Sequence, residues 1–145
     1  MFLKKCKVAL VILLVSIGSL QAQNMLVVGQ ATDPVILDPP MYSDTPTHNV
    51  NLLIYDRLYD LSSEGKIVPG LAVDLPKIEE NGTKYTIKIR SGVKFHNDQP
   101  LTIDDVIYSF QRGAFNDKSQ MKSIFAMMYD VKKIDNYTFQ FRTGF

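Results

Sequence analysis

Between Tyr85 and Arg112 the spacing of apolar and polar positions changes period within a few residues. Tyr85, Ile87 and Ile89 alternate with Thr86, Lys88 and Arg90, the period-two pattern of a half-buried strand. Ser91-Gly92 supplies a turn, Val93 and Phe95 resume apolar character, and Pro100 closes the extended part. From Thr102 onward the period is helical, with Ile103, Val106, Ile107, Phe110 and Ala114 on one face. Thr102 suits the N-cap, and Asp104 and Asp105 occupy the first turn, where the helix dipole favours negative charge. The stretch predicts a strand, a turn and a capped amphipathic helix.

The same reading applied along the chain gives further elements. Met25 to Gly29 is a short apolar run and predicts a buried strand. Gln30 to Pro40 is punctuated by prolines and cannot be helical, and loop character continues to Thr47. A helix is predicted from about His48 to Leu58, because Val50, Leu53, Ile54, Leu58 and Leu61 form one stripe. Ser62 to Lys66 reads as a turn. Asn81-Gly82 predicts a hairpin, since both residues tolerate the positive φ of a tight turn. Met121 to Tyr129 reads as a short helix carrying Ile124, Phe125 and Met128. Val131 to Ile134 and Tyr137 to Phe141 flank Asp135-Asn136 as a second hairpin.

Composition narrows the class. A chain of 145 residues with 46% apolar content can hold one modest domain, and a net charge of +1 points to no polyanionic partner, nucleic acid included. Lys4, Lys5 and Lys7 precede an apolar run from Val8 to Leu20, which ends in Gly18-Ser19-Leu20-Gln21-Ala22. That run falls short of the about 20 residues of a membrane span. Residues 1–22 therefore read as a secretory signal peptide cut after Ala22. An uncleaved N-terminal anchor is the runner-up. Cys6, the one cysteine, lies before the apolar run, so the chain does not read as a lipoprotein. Once Cys6 is removed there is no thiol for a disulfide, a nucleophile or a metal.

The stretch from Ile89 to Phe110 closely resembles the signature of the family 5 extracellular solute-binding proteins, the peptide-, oligopeptide- and nickel-binding receptors of bacterial ABC importers. Ile89-Arg90-Ser91-Gly92-Val93-Lys94-Phe95-His96 and Pro100-Leu101-Thr102-Ile103-Asp104-Asp105-Val106-Ile107-Tyr108-Ser109-Phe110 follow that signature nearly position for position. Leu37-Asp38-Pro39, Tyr55-Asp56-Arg57-Leu58 and Pro69-Gly70-Leu71-Ala72 are similar to further family elements. Asp98 departs from the glycine usual there. Val73, Asp74 and Leu75 depart from an aromatic usual a few residues after the alanine.

The resemblance runs from Leu26 to Phe141 and implies an α/β fold: the N-terminal part of a two-lobed, class II clamshell periplasmic-binding-protein fold with a mixed sheet. Residues 23–145 would be a truncated N-terminal portion, unable to bind solute with useful affinity alone. The implied function is periplasmic or extracellular capture of a small ligand, a peptide above all, by hinge closure. The ligand would be delivered to the permease and ATPase subunits of an ABC importer, without catalysis, cofactor or metal. The implied ligand contacts lie on two loops, Thr32, Asp33 and Pro34 on one and Tyr42, Ser43 and Thr45 on the other, with His48 at a helix start beside the cleft.

The residues themselves offer little rival chemistry. Neither His48 nor His96 has a partner at metal-ligand spacing, and His96 reads as a packing or loop residue. Asp104 and Asp105 diverge by about 100 degrees on a helix, which suits capping better than a paired acid and base. Met121, Met127 and Met128 read as core. No G-x-S-x-G elbow or phosphate-cradling glycine loop is present. A secreted hydrolase and a structural or adhesive periplasmic domain remain the alternatives.

Overall fold

The computed structural model describes residues 25–144; the expected signal peptide, its cut after Ala22 and Cys6 lie outside the described residues. Two compact units divide at Gln30. Of the first unit, residues 25–30 are described, and they form no strand. Met25, Leu26, Val27 and Val28 are all largely exposed, Leu26 by 87%, which corrects the expected buried strand. An apolar run gives a strand only its propensity. The ladder needs a neighbour, and no described strand pairs with this one.

The second unit is built on a four-stranded antiparallel sheet. β3 (Lys77–Glu79), β4 (Lys84–Lys88), β5 (Met128–Lys133) and β6 (Thr138–Thr143) stand in the order β3-β4-β6-β5. Both expected hairpins are present. Asn81, at φ 55°, and Gly82, at φ 90°, turn β3 into β4. Asp135 Oδ1 accepts the Tyr137 N–H at 2.7 Å in the turn between β5 and β6. Every pairing among the described strands is antiparallel.

Cross-strand register explains the core. Ile87 pairs with Phe139 and Tyr85 with Phe141, so the apolar sets of both strands share a face. Tyr85 and Phe141 stack with centroids 5.0 Å apart. Against this face lies α2 (Ile103–Phe115), whose Ile103 and Val106 are buried and whose Phe110 meets Phe139 at 5.3 Å. The helix starts where the sequence placed it: Asp105 Oδ2 accepts both the Thr102 N–H at 2.8 Å and the Thr102 hydroxyl at 2.7 Å. Asp104 instead pairs with Lys133 Nζ at 2.6 Å.

The helix expected over His48 to Leu58 begins and ends earlier. α1 is Thr45–Asn51. Asp44 accepts the Thr47 N–H at 2.9 Å and so caps the helix before the apolar stripe begins. At its far end the Leu58 carbonyl is taken by the Gly70 and Ala72 N–H groups, at 2.9 and 3.1 Å. That draws Tyr59 into a small hairpin, β1 (Tyr59–Leu61) with β2 (Ile67–Pro69), turned through Ser62 to Lys66 as expected. Leu53 is left 83% exposed. The expected helix from Met121 to Tyr129 shortens likewise to α3 (Lys122–Phe125), because Met128 and Tyr129 are already paired with Thr143 and Arg142 in the sheet. Met128 packs against the core, whereas Met127 is 46% exposed and does not.

Candidate functional site

The loops expected to meet ligand precede and enter α1, and the structure shows what holds them. Val35 donates its N–H to the buried Thr47 hydroxyl at 2.9 Å. The Tyr55 hydroxyl donates to the Leu37 carbonyl at 2.9 Å. The Gln120 N–H donates to the Pro40 carbonyl at 2.8 Å. Between these lies a two-bonded fork, in which the Arg112 guanidinium near the end of α2 grips both oxygens of Asp38, one at 2.6 Å. The Asp38 carboxylate in turn holds the Arg112 guanidinium pKa above its ordinary value.

On this frame Tyr42 and His48 come together. The Tyr42 hydroxyl and His48 Nδ1 are 3.0 Å apart, with ring centroids at 6.0 Å. Burial pushes the Tyr42 phenol up, opposed by Arg57 and reinforced by Asp44. Thr45 opens α1 and is exposed. Thr32 and Asp33 are exposed and make no side-chain hydrogen bond within the described residues, nor does Ser43; Pro34 is half-buried. The structure thus joins Tyr42 to His48 and leaves Thr32 and Asp33 as exposed loop positions.

A separate depression of about 560 Å³ opens between the segment after α1 and the signature turn. Leu53, Ile54, Tyr55, Phe95 and Phe110 give it a mainly apolar wall, with His96 at its edge. None of Thr32, Asp33, Tyr42, Thr45 and His48 lines it. Among the described residues no three His, Cys, Asp or Glu side chains gather as metal ligands do.

The family model described as "Bacterial extracellular solute-binding proteins, family 5 Middle" matches residues 66–144, from the β1–β2 turn to the end of β6. The chain belongs to the family 5 extracellular solute-binding proteins. Family 5 relatives extend the likeness towards the N-terminus. The oligopeptide-binding protein AppA of Bacillus subtilis is 27% identical over 128 residues, 88% of this chain and 23% of AppA. The dipeptide-binding protein of Escherichia coli is 26% identical over 144 residues, 86% of this chain and 26% of the relative. The solved structure of AppA in complex with a nonapeptide superposes with a TM-score of 0.73 at 25% identity, covering 78% of this chain and 22% of AppA. NikZ of Campylobacter jejuni in complex with Ni(L-His) shares the fold, with a TM-score of 0.69 at 21% identity, covering 77% of this chain and 22% of NikZ. The chain spans about a quarter of the length of the relatives it matches. The expected α/β fold therefore matches part of a family 5 solute-binding protein, although the expected mixed sheet is antiparallel throughout the described strands.

Two features of the sequence gain a physical reason from the structure. Asp98, which stands where glycine is usual, has φ 66°, so the position does require a left-handed backbone. In Leu37-Asp38-Pro39 the aspartate is the partner of Arg112. Nothing local in the sequence joins the two residues, because 74 positions separate them and no local period links a loop carboxylate to a helix-end guanidinium.

Proposed function

We propose that the protein is an exported receptor that captures a small ligand, a peptide in the first instance, and hands it to the permease and ATPase subunits of an ABC importer. The observation that carries this reading is the superposition on AppA, a family member solved with a nonapeptide, over 78% of this chain. The matched relatives bear the names of binding proteins, so the reading is capture without catalysis. Thr32, Asp33, Tyr42, Thr45 and His48 are the proposed contacts. Tyr42 and His48 suit the task chemically, offering an aromatic face with a hydroxyl and a ring nitrogen beside it.

The basic, apolar and small-residue succession of residues 1–22 supports export, with a mature protein starting at Gln23 in the periplasm or outside the cell. Thermal unfolding of the secreted protein, in a chain extended to the length of its relatives, with and without di-, tri- and nonapeptides tests capture, since a ligand at about 100 times its Kd adds about 2.7 kcal/mol to stability. N-terminal sequencing of the same material tests export. A Tm unmoved by every peptide would remove the capture reading, and a product retaining Lys4 would remove the cleavage.

A further inference from the structure

The Asp38–Arg112 fork is the longest-range side-chain to side-chain link among the described residues, joining positions 74 apart. It is partly shielded, with side-chain exposures of 24% for Asp38 and 34% for Arg112. Arginine at such a site is a shape as well as a charge: its planar fork meets both carboxylate oxygens, which lysine cannot do. The fork lies between the loop carrying Thr32 and Asp33 and the residues leading to Tyr42. Within one turn of Asp38 the same segment accepts the Tyr55 hydroxyl at Leu37 and the Gln120 N–H at Pro40, and the Met41 N–H closes back on the Asp38 carbonyl at 3.0 Å. The signature helix is thereby coupled to the loops.

We propose that Asp38 and Arg112 are positioning residues for ligand capture: their fork fixes the segment from Thr32 to Tyr42 on the end of the signature helix and holds the proposed ligand contacts in binding shape. This rests on the reading of the protein as a peptide receptor. The fork's contribution is to arrangement, because ordering the loop before the ligand arrives removes that entropic cost from binding. Loss of the fork frees the loop while the sheet and its aromatic core remain intact, since Phe139, Phe141, Ile87 and Ile89 make their contacts without it.

The test measures amide hydrogen exchange and nonapeptide affinity in parallel, in a chain extended to the length of its relatives, on wild type, Arg112→Met, Arg112→Lys and the exchanged pair Asp38→Arg with Arg112→Asp. In Arg112→Met, exchange at the Val35 and Met41 amides should rise about tenfold, the factor a charged hydrogen bond is worth, with Ile87 and Phe139 unchanged. Nonapeptide affinity should fall by a similar factor. Arg112→Lys should resemble Arg112→Met, and the exchanged pair should recover part of both losses. Sheet amides that quicken in step with Val35 and Met41 would show a merely structural role and overturn the proposal, as would wild-type affinity in Arg112→Met. Wild type that binds no peptide would instead overturn the receptor reading, and the exchange contrast would still decide whether the fork holds the loop.

Discussion

Gly113 sits on the buried side of α2, where a side chain would strike Phe125. A Cβ built there lies 2.7 Å from Phe125 Cδ2, 2.8 Å from Cε2 and 3.2 Å from Cγ. Phe125 is itself held edge-on against Phe110, with centroids 5.3 Å apart and planes at 82°. Two effects of opposite sign therefore meet in Gly113→Ala. Overpacking costs about 1–3 kcal/mol, and removing glycine from a helix interior returns about 1 kcal/mol. Phe125 is half-buried on the four-residue helix α3, so it can retreat a little, and the net loss should be about 1 kcal/mol. The sign is the decisive part. In a Phe125→Ala background the obstacle is gone, and Gly113→Ala should then stabilise by up to about 1 kcal/mol. Urea unfolding of wild type, both single variants and the double variant gives the coupling directly. Equal destabilisation in both backgrounds would refute the packing argument.

Three further outcomes follow from the same structure. Asp98→Gly should stabilise by about 0.5–1 kcal/mol in urea unfolding, because φ 66° strains a side chain there and the ion pair it loses, to Lys94 at 3.7 Å, is exposed. Asp44 accepts the Thr47 N–H, which holds its carboxyl below the usual carboxylate range; its contribution is present above the unfolded value of about 3.9 and lost as pH falls through the lower folded value. The stability gap between wild type and Asp44→Asn should thus close on acidification, as followed by urea midpoints across pH. Phe110→Ala should cost about 2–5 kcal/mol, through contacts with Phe125, Phe139 and Phe141, and Asp105→Ala about 1 kcal/mol through the cap; the reverse order in thermal melts would move the core to the other face of α2.

The signature strand and helix were legible because their periods are set by a face that this chain itself covers. Ile87, Ile89, Ile103 and Val106 all find buried partners within the described residues. Both hairpins were legible from turn chemistry alone, at Asn81-Gly82 and Asp135-Asn136. The failures share a cause. Met25 to Val28, and Leu53 in the stripe from Val50 to Leu61, have apolar patterns without a described surface to satisfy them. Local hydrogen bonding then decided instead, through the Asp44 cap and the double use of the Leu58 carbonyl. Of the site, sequence found loops and side-chain types. It could not find the Tyr42–His48 pairing or the Asp38–Arg112 fork, because both depend on where a proline-rich loop folds back.

Capture of a peptide is the central claim, and calorimetric titration tests it most directly. Nonapeptide, tripeptide and dipeptide would be titrated into the 145-residue chain and into a chain extended to the length of its relatives. A two-lobed site buries most of a small ligand between its walls. The extended protein should therefore give saturable heat with a Kd near micromolar, about −8 kcal/mol, and the 145-residue chain a Kd of millimolar or weaker. Equal micromolar binding by both would contradict the two-lobed account, and no heat from any peptide with the extended protein would contradict peptide capture itself.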